Sequence, residues 1–333
     1  MDTKSFWEIA GCTVRGIHHI NNNKPCQDKI YSLTLGGVTA IALADGASSA
    51  LFSHFGAGRV SELVCKKICR DFDRIINSHD TLALKYDIIN YLTNQLRLLA
   101  VKLKCDVKDL YSTLTFAASD GKNYIASNIG DGLIGAFRGD NVYPFIDSCH
   151  GEFFNSTYFV EPESIFHMGL RKGPLSSPNS KEIGKIRGFV LMSDGVSPSY
   201  YDTREKIIVH RLEYVRKKCF ALNESARKNF LLSELRSAAD NIKSRDDYSI
   251  IIMNLREQKK SADVIQETKV NAHSRKIIID ILSGRKEGIF LPEIIKAANY
   301  YGLDKNTVKL TLSAMCRLGY IKSVPPRKYL LQV

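Results

Sequence analysis

The chain has no long hydrophobic run. Its longest apolar stretches, such as Val38 to Ala44 and Phe189 to Met192, are short, whereas a membrane-spanning helix needs about 20 consecutive apolar residues. The amino-terminal residues also lack the apolar segment of a secretory signal. We therefore expect buried strands at these stretches, no contact with a membrane, and a cytoplasmic protein.

Paired cysteines and repeats are also missing. The eight cysteines include no C-x-x-C pair, so a zinc ribbon or a thioredoxin-type motif is not expected. Cys65 and Cys69 stand one helical turn apart and are interpreted as two small core residues rather than as metal ligands. The 333 residues, 44% hydrophobic and 25% charged, predict a globular protein of two domains or of one domain with an appendage.

Positive charge is in excess, but it is unevenly distributed. The formal net charge is +12, and the residues from Thr268 to the end carry 12 lysines and arginines against 4 acidic residues, a net of +8. An interaction with a polyanion is therefore expected of this segment rather than of the rest. Residues 256–271 are polar without a sustained apolar stripe, which predicts a linker between a first domain, 1–255, and a second, 272–333.

The first domain combines segments of strand character with long segments of helical period. The predicted strands are Trp7 to Val14, Lys29 to Leu35, Val38 to Ala44, Ser112 to Ala118, Tyr124 to Asn128, Leu133 to Phe137, Gly188 to Met192 and Tyr248 to Leu255, and the predicted helices are Gly56 to Ile76, Leu82 to Lys104 and Ser225 to Lys243. Two helices together between runs of antiparallel-looking strands favour sheets packed face to face with helices outside.

Acidic residues recur where these apolar strands begin or end. They are Asp28, Asp45, Asp131, Asp194 and Asp246, and three of them precede a glycine. Several carboxylates converging on one rim would repel each other unless a cation lay between them, and hard oxygen ligands select Mg²⁺ or Mn²⁺. A single Asp-Gly step is more often a plain turn, so spacing alone leaves both interpretations open.

At these residues the sequence resembles the type-2C metal-dependent serine/threonine protein phosphatases. The resemblance covers Trp7 to about Leu255 and rests on Ala44 to Ser49 (ADGASS), Tyr111 to Leu114 with Ala126 to Gly132 (YSTL, ASNIGDG), Met192 to Val196 (MSDGV) and Asp246 to Ser249 (DDYS). It implies an α+β fold, a four-layer αββα sandwich. It also implies hydrolysis of phosphoserine and phosphothreonine in a phosphorylated protein, by a water activated between two divalent cations, Mn²⁺ or Mg²⁺.

The resemblance further assigns roles to individual residues. Asp45 would bridge the two ions, and the carbonyl of Gly46 would complete the shell of the first. Asp194 and Asp246 would hold the second ion. Asp28 matches an acidic residue near the first ion, and Asp131 matches a position that helps to bind a third, looser ion.

The chain also departs from the family pattern. Gln27 stands where the family has a glutamate, and it lacks that negative charge although it can order a water. His19 stands nearest to the place of the phosphate-binding arginine and is predicted to make that contact, more weakly than a bidentate arginine would. The last motif reads Asp246-Asp247-Tyr248-Ser249 where the family has Asp-Asn-x-Thr. Residues His150 to Pro178 fall where the family carries a variable flap.

The C-terminal segment resembles a small winged helix-turn-helix domain. Apolar periodicity predicts helices over Ser274 to Leu282, Leu291 to Tyr301 and Lys305 to Leu318, followed by a β-hairpin. DNA binding through the third helix and the hairpin tip would use Lys305, Asn306, Thr307, Lys309, Arg327 and Lys328. Protein docking or dimerisation is an equal alternative, and DNA binding would need a dimer.

The leading functional hypothesis is an active protein phosphatase that opposes a partner serine/threonine kinase and is targeted by its winged helix. One alternative is a transcription regulator whose phosphatase-like domain is a weakly active or inactive sensor. Another is a catalytically dead scaffold. The presence of all the core aspartates argues against a dead site, whereas the missing glutamate and arginine keep that alternative open.

Overall fold

The computed structural model describes residues 6–146, 157–176, 185–242, 245–256, 272–283, 288–317, 321–324 and 328–331. The chain divides into two units between Arg256 and Glu257. Apart from Arg256, the predicted linker, residues 256–271, lies outside the described residues. No helix within the described ranges is long and apolar enough to cross a membrane.

Two antiparallel five-stranded sheets form the centre of the larger unit. Its strands are β1 (Phe6–Val14), β2 (Lys29–Leu35), β3 (Val38–Ala44), β4 (Leu114–Ser119), β5 (Asn123–Ile129), β6 (Leu133–Arg138), β7 (Asn141–Ile146), β8 (Gly169–Pro174), β9 (Ile186–Met192), the short hairpin β10 (Tyr201–Asp202) and β11 (Ile207–Ile208), and β12 (Tyr248–Arg256). One sheet has the order β1-β12-β9-β6-β7 and the other β2-β3-β4-β5-β8. The inner strands β3 and β12 are buried along nearly their whole length and are mostly apolar, as expected of strands covered on both faces.

Helices cover the outer face of each sheet. The helices are α1 (Ile17–Asn21), a short helix in the connection between β1 and β2; α2 (Ser53–Asn77) and α3 (Thr81–Leu103), which cover one sheet; and α4 (Arg211–Ala221) and α5 (Glu224–Ile242), which cover the other. Single turns of 3-10 helix lie at Val107–Leu110, Pro162–Phe166 and Ser197–Ser199. One apolar core joins α2 and α3 to the second sheet, and another joins α4 and α5 to the first. A third core lies between the sheets and contains Ile41, Phe189 and Ile251. The prediction of a mixed fold of sheets and helices is confirmed, and the layers run helix, sheet, sheet, helix.

Strand β8 corrects the interpretation of His150 to Pro178 as a flap throughout. It pairs antiparallel with β5 along its whole length and completes the edge of the second sheet. Its sequence, GLRKGP, has little intrinsic strand preference, so the pairing with β5 determines its conformation. Part of the predicted segment, 150–156 and 177–178, lies outside the described residues.

The described residues of the smaller unit form three helices and a three-stranded sheet. Its elements are α6 (Ala272–Leu282), β13 (Ile289–Phe290), α7 (Leu291–Tyr300), α8 (Lys305–Arg317), β14 (Ile321–Val324) and β15 (Lys328–Leu331). The sheet has the order β13-β15-β14, and β13 is an addition to the predicted elements. A separate apolar core, which includes Ile278, Ile294, Leu312 and Met315, holds the helices together.

Candidate metal centre

Strand pairing brings Asp28 and Asp45 together at one rim of the second sheet. Lys29 pairs with Ala44, so the residue before β2 and the residue after β3 are neighbours. The backbone of Asp45 is fixed on both sides, because its N–H donates to Oγ1 of Thr113 (3.0 Å) and its carbonyl accepts from the N–H of Thr113 (2.8 Å). The next residue, Gly46, is buried and forms an antiparallel bridge with Ser112.

The first sheet places Asp194 and Asp246 at an equivalent rim. Met192 at the end of β9 pairs with Ile250 near the start of β12, so the turn after β9 lies beside the turn before β12. The N–H of Ser193 donates to the carbonyl of Ser249 across this rim, at 3.0 Å. Two sheets packed face to face therefore carry aspartates on adjoining rims.

The aspartates from the two sheets meet. The carboxylate of Asp45 is within hydrogen-bonding reach of the carboxylates of Asp28 and Asp194. Asp131 and Asp246 lie close enough to Asp194 that their charges raise its pKa. The structure thus brings all five predicted aspartates to one place.

Burial and mutual repulsion dominate the electrostatics of this cluster. Burial, followed by the neighbouring charges of Asp28 and Asp194, raises the pKa of Asp45 well above its ordinary value. Burial raises the pKa of Asp28 to about 6, and burial together with Asp131 and Asp246 raises the pKa of Asp194 to about 7. Each shift means that the cluster resists carrying its full negative charge without a cation.

The donor set fits a hard divalent cation. Asp28 is 1% exposed, and within the described part of the chain neither of its carboxylate oxygens makes a hydrogen bond of full geometry, nor does Oδ1 of Asp194. The hydroxyls of Ser249 and Ser193 lie near Asp28 and only partly offset the effect of burial on its pKa. Buried carboxylate oxygens without partners are costly, and a cation would satisfy them. The cluster offers oxygen ligands alone, which suits Mg²⁺ or Mn²⁺ better than zinc.

Asp131 differs from Asp28 in its exposure and in its partners. It is half-buried, and its Oδ2 accepts a hydrogen bond from Oγ1 of Thr157. One of its oxygens is therefore already engaged by the protein. This arrangement differs from that of Asp28, whose two oxygens make no hydrogen bond of full geometry among the described residues.

His19 lies next to the cluster but is buried. It belongs to the five-residue helix α1, which is not among the predicted elements, and is 2% exposed. Its Nδ1 is 2.9 Å from Oδ1 of Asp247, at ion-pair distance but without the angle of a hydrogen bond. One ligand atom each of His19, Asp246 and Asp247 fall within 4.8 Å of one another.

Asp247 is not a free ligand. Its Oδ1 accepts from the N–H of Gly16 at 2.7 Å, and its Oδ2 accepts from the N–H of Gln27 at 2.6 Å. Burial alone would raise its pKa, but these N–H groups and His19 hold the pKa below its ordinary value. Asp247 is therefore an anchored anion, and the group of His19, Asp246 and Asp247 is less suited to a cation than the five-aspartate cluster.

Gln27 is part of the same buried arrangement. It is 4% exposed, and its Nε2 donates to Oγ of Ser53 at 2.5 Å. Its backbone N–H binds Asp247, which His19 also contacts. Three positions at which the sequence departs from the family pattern are thus in direct contact, a relation that spacing along the chain could not reveal.

Some of the residues predicted to contact nucleic acid are exposed to solvent. Lys305, Asn306 and Lys309 are exposed on α8. Thr307 is half-buried, and its hydroxyl donates to the carboxylate of Asp304. Arg327 and the side chain of Lys328 lie outside the described part of the structure.

Comparisons with known proteins bear on the family and the fold of the chain. The sequence model of the family described as protein phosphatase 2C matches residues 15–234, a range that ends before Asp246. Similar solved structures include a bacterial serine phosphatase (14% identity, TM-score 0.54, 77% of this chain and 100% of that chain). They also include a serine/threonine phosphatase from Staphylococcus aureus (14% identity, TM-score 0.52, 75% and 96%) and a sex-determining protein of C. elegans (15%, TM-score 0.51, 74% and 64%). No curated protein sequence matches the chain.

Proposed function

The chain belongs to the protein phosphatase 2C family and is a protein serine/threonine phosphatase, and from this premise we propose that it hydrolyses phosphoserine and phosphothreonine with two divalent cations, Mn²⁺ or Mg²⁺. The observation that carries the proposal is the convergence of five aspartates at one rim, with unpartnered oxygens on the buried Asp28 and on the half-buried Asp194. Repulsion between these carboxylates destabilises the protein unless a cation binds. Such a loss of stability is expected at a site that function requires.

Each aspartate has a distinct part in the proposal. Asp45, which contacts both Asp28 and Asp194, would be the ligand shared between the ions, with the carbonyl of Gly46 beside it. Asp28 would serve the first ion, and Asp194 and Asp246 the second. Asp131, already bonded to Thr157, would serve a third and weaker site.

In this proposal the protein supplies rigidity, and the cations would supply the reactivity. When bound, they would lower the pKa of a water and neutralise charge on the phosphate. The carboxylates are held at the ends of β-strands, so they need little reorganisation to accept the ions. The phosphate contact of His19 stays a prediction. The His19 side chain is only 3% exposed, and its Nδ1 lies beside Asp247.

The test is Mn²⁺-dependent hydrolysis of an aryl phosphate and of a phosphothreonine peptide by the full-length protein. Asp194→Asn is the inactive control, and we expect it to abolish the metal-dependent rate. Activity that is equal in the variant, or that needs no metal, would contradict the proposal. An inactive wild-type protein that still binds a phosphoprotein would favour the alternative, a regulator or scaffold with a sensing domain.

For residues 272–333 we propose a winged helix that targets the enzyme to DNA. Its support is the order of its helices and strands, the net charge of +8 from Thr268 onward, and the exposure of Lys305, Asn306 and Lys309 on α8. Substitution of Lys305 and Lys309 by alanine in the full-length protein should weaken binding to duplex DNA and reduce its salt dependence. Unchanged binding would favour protein docking. A serine/threonine kinase that makes the substrate is the partner expected on chemical grounds.

A further inference from the structure

The buried carboxylate of Asp247 ties together the loop and turns that carry the candidate metal ligands. We propose that Asp247 is a positioning residue, which holds Asp28 and Asp246 in place for the cations without binding a cation itself. We also propose that His19 acts through Asp247, as the third of its partners. The inference rests on the proposed metal-dependent function, and it adds a residue that the pattern of Asp-Gly turns does not include.

The contacts of Asp247 join segments that are far apart in sequence. Its Oδ1 accepts from Gly16 N–H, 231 residues away, and its Oδ2 accepts from Gln27 N–H, 220 residues away. Gln27 directly precedes Asp28, and Asp247 directly follows Asp246. One carboxylate therefore fixes the distance between two turns that would each supply a metal ligand.

Close backbone packing makes this link rigid. A Cβ on Gly16 would lie 2.0 Å from the carbonyl oxygen of Asp246, and a Cβ on Gly195 would lie 2.0 Å from the carbonyl oxygen of Asp247. The N–H of His18 also donates to the carbonyl of Arg245 at 2.9 Å. The turn before β12 is thus wedged between the loop after β1 and the turn that carries Asp194.

The same turn orients Asp246 directly. Oδ1 of Asp246 accepts a hydrogen bond from the N–H of Asp247 at 2.8 Å. Gly16 and Gln27 each donate to one oxygen of Asp247, and Nδ1 of His19 lies at ion-pair distance, so the protein already engages both oxygens of this carboxylate. Outer partners of this kind tune metal affinity by holding the ligands in place.

The variant Asp247→Asn keeps the shape of the side chain but removes its charge and one of its two acceptor oxygens. The N–H of either Gly16 or Gln27 would therefore face an NH₂ group. Position 19 offers a finer pair of variants. His19→Asn keeps a polar group near the place of Nδ1, whereas His19→Leu removes it.

Calorimetric titration of Mn²⁺ into the metal-free, full-length protein tests the inference. We expect the wild-type protein to bind two ions, and Asp247→Asn to bind two ions with a dissociation constant raised roughly ten- to a hundredfold. His19→Leu should raise the dissociation constant by a smaller factor than Asp247→Asn does. His19→Asn should retain most of the Mn²⁺ affinity that His19→Leu loses. Glu213→Gln is the matched control, because Glu213 is equally buried, at 1% exposed, and its ion pair with Arg216 lies on α4.

Unfolding temperatures in EDTA separate positioning from general loss of stability. Glu213→Gln should lower the unfolding temperature but leave Mn²⁺ affinity unchanged. If Asp247→Asn is too unstable to titrate, the two His19 variants decide in its place. Wild-type affinity in Asp247→Asn, one ion fewer in that variant, or an equal loss in Glu213→Gln would each overturn the inference while leaving the proposed function intact. A wild-type protein that binds no Mn²⁺ would overturn both.

Discussion

Two groups of aspartates in the larger unit have opposite electrostatic environments. At the rim of the sheets, Asp28, Asp45 and Asp194 face one another. Between α2 and α3, Asp71 and Asp87 face Lys67, whose Nζ is 3.1 Å from a carboxylate oxygen of each. Lys67 is 5% exposed, so this helix layer also contains a buried charge, but one with partners.

The two groups differ accordingly in their pKa values. Burial would raise the pKa of Asp71 and Asp87, but hydrogen bonds from Lys67, together with those from Arg70 to Asp71 and from Arg74 to Asp87, lower it. At the rim, burial and like charges both raise the pKa. The helix layer is therefore neutralised within the chain, whereas the described residues leave the rim carboxylates in mutual repulsion, as expected of the proposed metal site.

The largest expected difference between the two groups is in catalysis. Asp45→Asn removes the carboxylate that contacts both Asp28 and Asp194, and we expect kcat/KM for Mn²⁺-dependent hydrolysis to fall by roughly 10³-fold or more. Asp87→Asn should leave kcat/KM within about twofold of wild type, since Asp87 lies in the helix layer. Comparable losses in both variants would break the distinction between the rim and the helix layer.

The second difference is in pH dependence without metal. Groups whose folded pKa is raised stabilise the fold below their unfolded pKa, about 3.9, and lose that contribution as pH rises through the folded value. For Asp28 and Asp194 the folded values are about 6 and about 7. Groups with a lowered pKa, such as Asp71 and Asp87, have completed their contribution by about pH 5.

Urea unfolding in EDTA should therefore give a free energy lower at pH 8 than at pH 5, by roughly 4 kcal/mol for Asp28 and Asp194 together. Saturating Mn²⁺ should remove this fall, because the ions bind the ionised carboxylates. Stability that rises from pH 5 to pH 8 in EDTA would mean that the rim is compensated by the protein itself.

Removing one rim charge should stabilise the metal-free protein. At pH 8 in EDTA, Asp194→Asn should raise the free energy of unfolding by roughly 1–2 kcal/mol, since it deletes a repelled, largely buried charge. The same variant should show a smaller fall between pH 5 and pH 8 than wild type. A destabilised Asp194→Asn protein would indicate that this carboxylate has a structural partner.

The sequence predicted the regular elements better than the connections between them. Strands Lys29–Leu35 and Val38–Ala44 have the predicted bounds, because alternation and apolar runs determine them locally. Helix α1 (Ile17–Asn21) was missed because five residues carry no amphipathic period, and β8 (Gly169–Pro174) because only its pairing with β5 makes it a strand. The role inferred for Asp247 depends on partners more than 200 residues away, which no local pattern encodes.

The smallest effect is expected in the helix layer itself. Asp87→Asn removes one of the two carboxylates that face Lys67, but Asp71 remains 3.1 Å from its Nζ. The Asp87 side chain is 38% exposed, so solvent already screens its ion pairs with Lys67 and Arg74. We expect the free energy of unfolding at pH 7 to fall by no more than about 1 kcal/mol, and the difference from wild type to shrink further in high salt. The expected change in the free energy of unfolding has the opposite sign to that of Asp194→Asn. Urea titrations of the two variants side by side in EDTA therefore measure the contrast directly. A shift of stability in the same direction in both variants would show that the rim and the helix layer are not electrostatic opposites.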